Sequence, residues 1–335
     1  MDFQIVTGKV VHRLVHENLA DCAKIVTDAY LAHHRGESVN PSSYFLRFPD
    51  RPDARIIALP AFLGDGFDVS GIKWIASYPA NIKQNIPRAS AVLVLNRMDT
   101  GYPFACLEAS IISAARTAAS AVVAAQALNA GQRKVSSIGI VGTGLISRYI
   151  YTFLIKLGWE APRVHLFDLN SGDAERFKSA VIDPDRHREV VVSPNLDSLI
   201  RESEMVVFAT SAPTPHVKDT SLFAHNPIVL HISLRDLSPD VIFASHNVVD
   251  DVSHVMNANT SVHLAEQASG GRAFVSGTLA GLLNGEFKVD RSRPIVFSPF
   301  GLGILDLAVG KWVFDQAVQE GATVRIDDFF FDMTR

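Results

Sequence analysis

The stretch "SSIGIVGTGLISRYIY", Ser136 to Tyr151, limits what this chain can fold into more than any other. A short apolar run, Ile138 to Val141, breaks at Gly142-Thr143-Gly144, and an apolar pattern at helical spacing follows. Strand, glycine turn and helix in that order give G-x-G-x-x-S, with Ser147 in the last place. The first glycine permits a tight turn, and the second lets backbone approach a pyrophosphate. A small third residue lets helix meet sheet closely. The helix start offers unpaired N–H groups and partial positive charge to phosphates. Gly142, Thr143, Gly144, Leu145 and Ile146 are therefore expected to bind a dinucleotide. "VHLFD" ends in Asp168, at the distance downstream where an acid meets the adenosine ribose hydroxyls. A carboxylate there repels a 2′-phosphate, which favours NAD over NADP. The plainer alternative is a structural turn with Asp168 capping a helix.

Beyond Gly131 the pattern alternates strand and helix. "SIGIVG", "VHLFD", "REVVVS", "EMVVFAT", "PIVLHIS", "NVVDD" and "PIVFSPF" read as strands, most of them nearly continuous in apolar residues. That predicts a parallel sheet covered on both faces. "FATSAPTP" closes the fourth of these strands, where open α/β sheets bind ligands. Thr210 and Ser211 are thus candidate neighbours of the nicotinamide ribose, or a plain polar turn.

Upstream, "HRLVHENLADCAKIVTDAYLAHHRG" predicts one helix ending at Gly36. "ARIIALPAFLG" and "VSGIKWIAS" read as strands, and "SAVLVLNRMDTGYPFACLE" as two strands around a turn. "ASIISAARTAASAVVAAQALNAG" predicts a largely buried helix ending near Gly131. A last helix, "ILDLAVGKWVFDQAVQEG", and the strand-like "TVRIDDF" are expected to pack back onto the first segment. The expected fold class is α/β. A Rossmann-type doubly wound parallel sheet over 131–305 binds NAD. A second α/β domain is expected from both chain ends, 1–130 and 306–335.

Composition narrows the function classes. Apolar residues make 47% of the 335 and the net charge is only −4, with no Lys/Arg run to suggest nucleic acid or a membrane surface. No apolar run is read as long enough to cross a bilayer. The two cysteines, Cys22 and Cys106, lie far apart without metal-ligand spacing and read as reduced core residues of a cytoplasmic protein. The histidines show no metal spacing, and His231, inside a strand, reads as a satisfied core residue. "FVSGTLAGL" lacks G-x-S-x-G, so a nucleophile elbow is not supported.

Charges stand where the apolar pattern has no place for them. Lys73 interrupts "SGIKWIAS", and Arg116 interrupts "ISAARTAAS". A buried, unpaired cation costs several kcal/mol, on the order of the desolvation penalty for one ion. Each must face solvent, a structural partner or an anionic ligand, and beside an NAD fold a substrate carboxylate is the functional choice. Arg47 in "YFLRFPD" could add a third cation. Arginine grips a carboxylate with two prongs, and lysine can also exchange a proton. "HISLRDLSPD" leaves the fifth strand and reaches Asp236, placed either to move a proton or, with Ser238, to cap the next helix.

These residues together make the chain resemble the ornithine cyclodeaminase/μ-crystallin family over nearly its whole length. "GIKWIASYPAN" is similar to the family's lysine motif, "ISAARTAASAVVAAQAL" to its arginine helix and "GIVGTGLIS" to its nucleotide loop. "FSPFGLGILDLA" resembles its nicotinamide-side loop, which adds Ser298 and Gly301. The resemblance implies an NAD-dependent homodimeric oxidoreductase acting on an amino acid's CH–NH bond. It also implies that the domain built from both chain ends binds substrate and dimerises. In it Lys73, Arg116 and Arg47 would bind carboxylate, and Lys73 and Asp236 would be catalytic. The motifs are most similar to members that oxidise a secondary amine joining two amino acids. True cyclodeaminases carry a glutamate where this chain has Ile57, and a glycine pair where it has Leu234 and Arg235. Arg235 could meet an extra carboxylate or point to solvent. Cyclodeaminase, imine reductase and amino-acid dehydrogenase remain alternatives within the family, and a non-catalytic small-molecule binder outside them.

Overall fold

The structure, a computed structural model, describes residues 2–331. The extreme ends of the two expected terminal segments, residue 1 and residues 332–335, lie outside the described residues. The chain divides into two compact units, Met1–Arg116 with Leu302–Arg335, and Thr117–Gly301. The sequence reading put the edges at 130 and 305, where pattern changes. The observed first edge falls inside a helix, Ser110–Leu128, because an unbroken helical pattern carries no mark of which core each turn joins.

The second unit is built on an eight-stranded sheet. Its order is Glu189–Val192, Arg163–Phe167, Ser137–Val141, Met205–Phe208, Ile228–His231, Ile295–Ser298, His246–Val249 and Val275–Thr278. Every neighbouring pair is parallel. Numbered along the chain, its first five strands run 3-2-1-4-5, the Rossmann order. The central strands are buried end to end, as apolar runs without alternation require. Val275–Thr278 is the strand that sequence reading passed over, since "FVSGT" is short and polar at alternate places.

The first unit holds a second eight-stranded sheet in the order Val324–Ile326, Phe3–Val6, Pro103–Glu108, Ala89–Asn96, Val69–Ser77, Arg51–Leu63 and Ser38–Val39. Tyr44–Phe48 also pairs with Arg51–Leu63. Phe3–Val6 runs parallel to Pro103–Glu108, and the other pairs are antiparallel. Period-2 alternation gives the sheet two different faces. Lys73, Leu93 and Leu95 are buried on one, whereas Trp74 and Val92 on the other are about two-fifths exposed, at 41% and 42%. Helices Gly8–Glu17, Leu19–His34 and Gly303–Gln319 pack within this unit. The single helix expected over residues 12–36 is two helices. Asn18 leaves helical geometry between them and its side-chain amide donates to Leu14 O at 2.9 Å. Of the two expected core cysteines, Cys22 is buried and Cys106 half-buried.

Ser110–Leu128 is long and apolar enough to cross a membrane, with mean hydropathy 1.4 over its best window, contrary to the sequence reading. Most of that window is buried within the protein. Its small alanines pack against neighbours on several sides, which makes it a core helix despite its hydropathy.

Candidate active site

The glycine turn is built as its sequence requires. Gly142 has φ +83, and a Cβ there would lie 2.8 Å from Ala209 O. The turn leaves the first strand beside the end of its neighbour, the fourth strand, where the strand order reverses and such sheets bind ligands. At Gly144 the space a side chain would take is open, so backbone is accessible at the start of helix Leu145–Lys156. Ser147 is buried and its hydroxyl donates to Gly142 O. The cradle fits a pyrophosphate. Asp168 does not cap the following helix; Asn170 does, accepting from Gly172 N at 3.1 Å. Asp168 instead accepts from Thr143 N at 2.8 Å and Thr143 Oγ1 at 2.9 Å, tying the second strand's acid to the glycine turn. Leu145 is exposed and Ile146 half-buried in the helix's first turn.

On the nicotinamide-side loop, Gly301 N donates to Asp250 Oδ2 at 2.7 Å and Phe300 N to Oδ1 at 2.9 Å. Asp250 is buried, and burial raises its carboxyl above the usual range despite these N–H donors. Sequence reading missed it, although "VVDD" puts an acid at a strand's carboxyl end. Ser298 is buried and 3.1 Å from His231 Nδ1.

Asp236 is wholly buried. Its Oδ1 accepts from Thr210 Oγ1 at 2.5 Å and lies 3.1 Å from His216 Nε2. Its Oδ2 accepts from Ser233 Oγ and lies 3.3 Å from His231 Nε2. Burial pushes the carboxyl up. The hydrogen bond and charge of His231, then the Ser233 and Thr210 hydroxyls, outweigh it and hold Asp236 well below the carboxylate range. The helix that follows is capped by Ser238, whose Oγ accepts from Val241 N, which leaves Asp236 to this network. Thr210 is thus tied to the aspartate, and Ser211 next to it is exposed. Leu234 holds φ +75, a left-handed conformation costly for a branched side chain. Arg235 Nε and Nη2 donate to Ala258 O at 3.1 and 2.7 Å.

In the first unit, Lys73 and Arg116 come together on a carboxylate that sequence reading missed. Lys73 Nζ donates to Asp306 Oδ2 at 2.6 Å and Ser113 Oγ at 3.1 Å, and Arg116 Nε to Asp306 Oδ1 at 3.2 Å. Lys73 and Asp306 are buried; the Arg116 side chain is 12% exposed. Asp306 rides the first turns of Gly303–Gln319. That helix seats tightly because Gly310 stands where a Cβ would fall 2.1 Å from Leu93 Cδ2, and Leu93 is Lys73's cross-strand partner. Glu108 caps the arginine helix, accepting from Ser110 N at 2.7 Å and Ile111 N at 3.2 Å. Burial lowers Lys73 to about 8, with Asp306 opposing and Arg116 adding to the fall. Two cations share this one carboxylate in the buried cluster. Arg47 is on the same sheet face, opposite Arg55, and its guanidinium stacks 5.3 Å over Phe45. It does not join the Asp306 cluster.

The sequence matches the pattern of the ornithine cyclodeaminase/mu-crystallin family over residues 6–321. The chain belongs to that family. Among family proteins it is 29% identical to N-((2S)-2-amino-2-carboxyethyl)-L-glutamate dehydrogenase of Staphylococcus aureus, covering 90% of this chain and 92% of that one. Its fold matches an archaeal alanine dehydrogenase dimer with bound NAD at TM-score 0.87 and 23% identity, over 98% of this chain and all 100% of that one. It also matches the Thermococcus litoralis Delta(1)-pyrroline-2-carboxylate reductase in complex with NADH and L-proline, at TM-score 0.85 and 22% identity, over 97% and 100% of the two chains.

Proposed function

We propose that the protein is an NAD-dependent oxidoreductase acting on an amino acid's CH–NH bond, with N-(2-amino-2-carboxyethyl)-L-glutamate as substrate. Its products would be 2,3-diaminopropionate, 2-oxoglutarate and NADH, in siderophore or related specialised-metabolite formation. The observation that carries this reading is the buried Lys73–Asp306–Arg116 cluster, two cations sharing one acid in an apolar wall. Such an arrangement suits a substrate carboxylate. The Staphylococcus aureus relative supports the choice of substrate. So does Ile57, since an apolar side chain there offers no acid to a terminal amine of ornithine.

The second unit binds NAD through Gly142, Thr143, Gly144, Leu145, Ile146 and Asp168, with Ser211, Ser298 and Gly301 on the nicotinamide side. Bound NAD+ supplies the hydride acceptor. Lys73 and Arg116 hold a carboxylate and so fix the substrate carbon, and Arg47 serves a carboxylate from the strand next along. Orientation of this kind can contribute about 7–11 kcal/mol to lowering a barrier. Asp236 and its partners handle the proton lost from the amine or from the water that opens the imine.

The open face of the first unit's sheet supports a homodimer. Tyr44, Trp74 and Val92 are exposed on one cross-strand row that runs through Ala58. Exposed aromatic and aliphatic side chains in register are what a second copy would cover. The free thiols of Cys22 and Cys106 suit the cytoplasm.

Purified protein mixed with NAD+ and aminocarboxyethyl-glutamate should produce absorbance at the NADH band, with 2-oxoglutarate in equal amount. Proline and ammonia from ornithine without net NADH would replace this reading with cyclodeamination.

A further inference from the structure

A carboxylate without exposed surface, both of whose oxygens are taken up by protein partners, is poorly placed to meet a substrate itself. Asp236 is in that position, enclosed by Thr210, Ser233, His216 and His231. Two of these partners are hydroxyls, too weakly basic to take up a proton and too weakly acidic to release one at neutral pH. His231 is itself completely buried, and its Nε2 also lies 3.1 Å from Asp236 N, while Nδ1 faces Ser298. His216 differs from all of them, because its side chain is 40% exposed.

The geometry at His216 fixes its chemistry. Asp236 can only accept, so Nε2 carries the proton of their 3.1 Å contact. Nδ1 then holds the lone pair, and it makes no hydrogen bond among the described residues. The ring cannot drift far, since His216 N and Val217 N both donate to Asp236 O, at 3.0 and 2.9 Å. Pro213 and Pro215 stiffen the approach. The segment leaves the carboxyl end of strand Met205–Phe208, the sheet edge that carries the glycine turn. The charged or titratable groups about the imidazole are Asp236 at Nε2, His231 behind that carboxylate, and Lys218 two residues along the chain.

We infer that His216, oriented by Asp236, is the group that exchanges a proton with the substrate. This rests on the oxidoreductase reading above and refines it. Oxidising the secondary amine breaks its C–H bond, and that electron pair and hydrogen go to NAD+. The N–H bond breaks as C=N forms, and its proton goes to His216 Nδ1. Asp236 stays ionised throughout and stabilises the imidazolium, which makes it a positioning residue.

The test compares wild type with His216→Gln, which keeps a side-chain N–H for Asp236, and with His216→Gly. With aminocarboxyethyl-glutamate and NAD+, His216→Gln should lose about 10²-fold or more in kcat, the usual share of a general base. NAD affinity by fluorescence titration should change less than about threefold. The acidic limb of the wild-type kcat profile should vanish, and millimolar imidazole should restore part of the His216→Gly rate. A His216→Gln kcat within threefold of wild type with its acidic limb intact would overturn the inference and leave the oxidoreductase reading standing. If wild type forms no NADH from this substrate, that reading fails separately. The imidazole is then followed by nitrogen NMR in wild type and Asp236→Asn. An Nε2-protonated ring that loses this tautomer preference in Asp236→Asn supports the pairing; an Nδ1-protonated ring or an unchanged preference overturns it.

Discussion

Lys73 shows how one side chain ties stability to function with opposite signs. Its folded value near 8 lies below the ordinary 10.5, with burial as the main cause. Between those limits the unfolded chain binds more protons than the folded one, so this group makes the protein more stable as pH rises. In its proposed role, carboxylate binding needs the charged form and weakens over the same interval. Substrate KM should therefore climb above pH about 8 while the melting temperature gains from this residue. Asp306→Asn, which removes the acid that favours the ammonium, should move the KM inflection to lower pH. Kinetics and thermal melts across pH 7–10 (roughly the interval in which lysine can titrate) check both. Lys73 and Arg116 were legible in the sequence because each breaks an apolar pattern. Asp306 breaks "ILDLAVG" in the same way, but a lone acid in a helix start reads as ordinary dipole compensation. The Asp236 cluster was legible only in its aspartate. Thr210, His216, His231 and Ser233 come from separate turns and strands, and no spacing rule links them.

Among elements, the glycine turn was read correctly in its parts because turn chemistry is local. Its constraint is sharper than the motif alone implies, since the positive φ of Gly142 coincides with a close approach to Ala209. Gly142→Ala should cost at least about 1–2 kcal/mol of stability from the left-handed backbone alone. It should also weaken NAD binding tenfold or more, read by thermal melt and NADH fluorescence titration. Helix limits were less legible. Asn18 splits a helix whose apolar periodicity runs straight through, and its side-chain amide donates a hydrogen bond back to Leu14 O at the break. Val275–Thr278 pairs with His246–Val249 across a bulge, and its membership in the sheet comes from that neighbour more than from its own residues.

For the whole molecule, the sequence revealed two bodies by a change of rhythm near Gly131, and the parallel sheet by its unbroken apolar strands. It could not place the division inside Ser110–Leu128, which is helical on both sides of Arg116. The apolar row on the first unit's open face argues for a twofold partner. Under the proposed homodimer, light scattering should give a dimer for wild type and a monomer for Trp74→Glu, while the far-ultraviolet circular dichroism stays unchanged. Glutamate replaces an exposed side chain there and leaves the buried face of the strand intact.

The pairing of Phe3–Val6 with Val324–Ile326 has a consequence for the growing polypeptide. Residues 117–301 are contiguous, so the nucleotide unit can close while translation continues. The other unit must wait for its last helix, and until Asp306 leaves the ribosome, Lys73 and Arg116 have no acid to bury against. Nascent chains halted before Leu302 should thus carry a protease-resistant middle and a labile beginning, a natural window for chaperone capture.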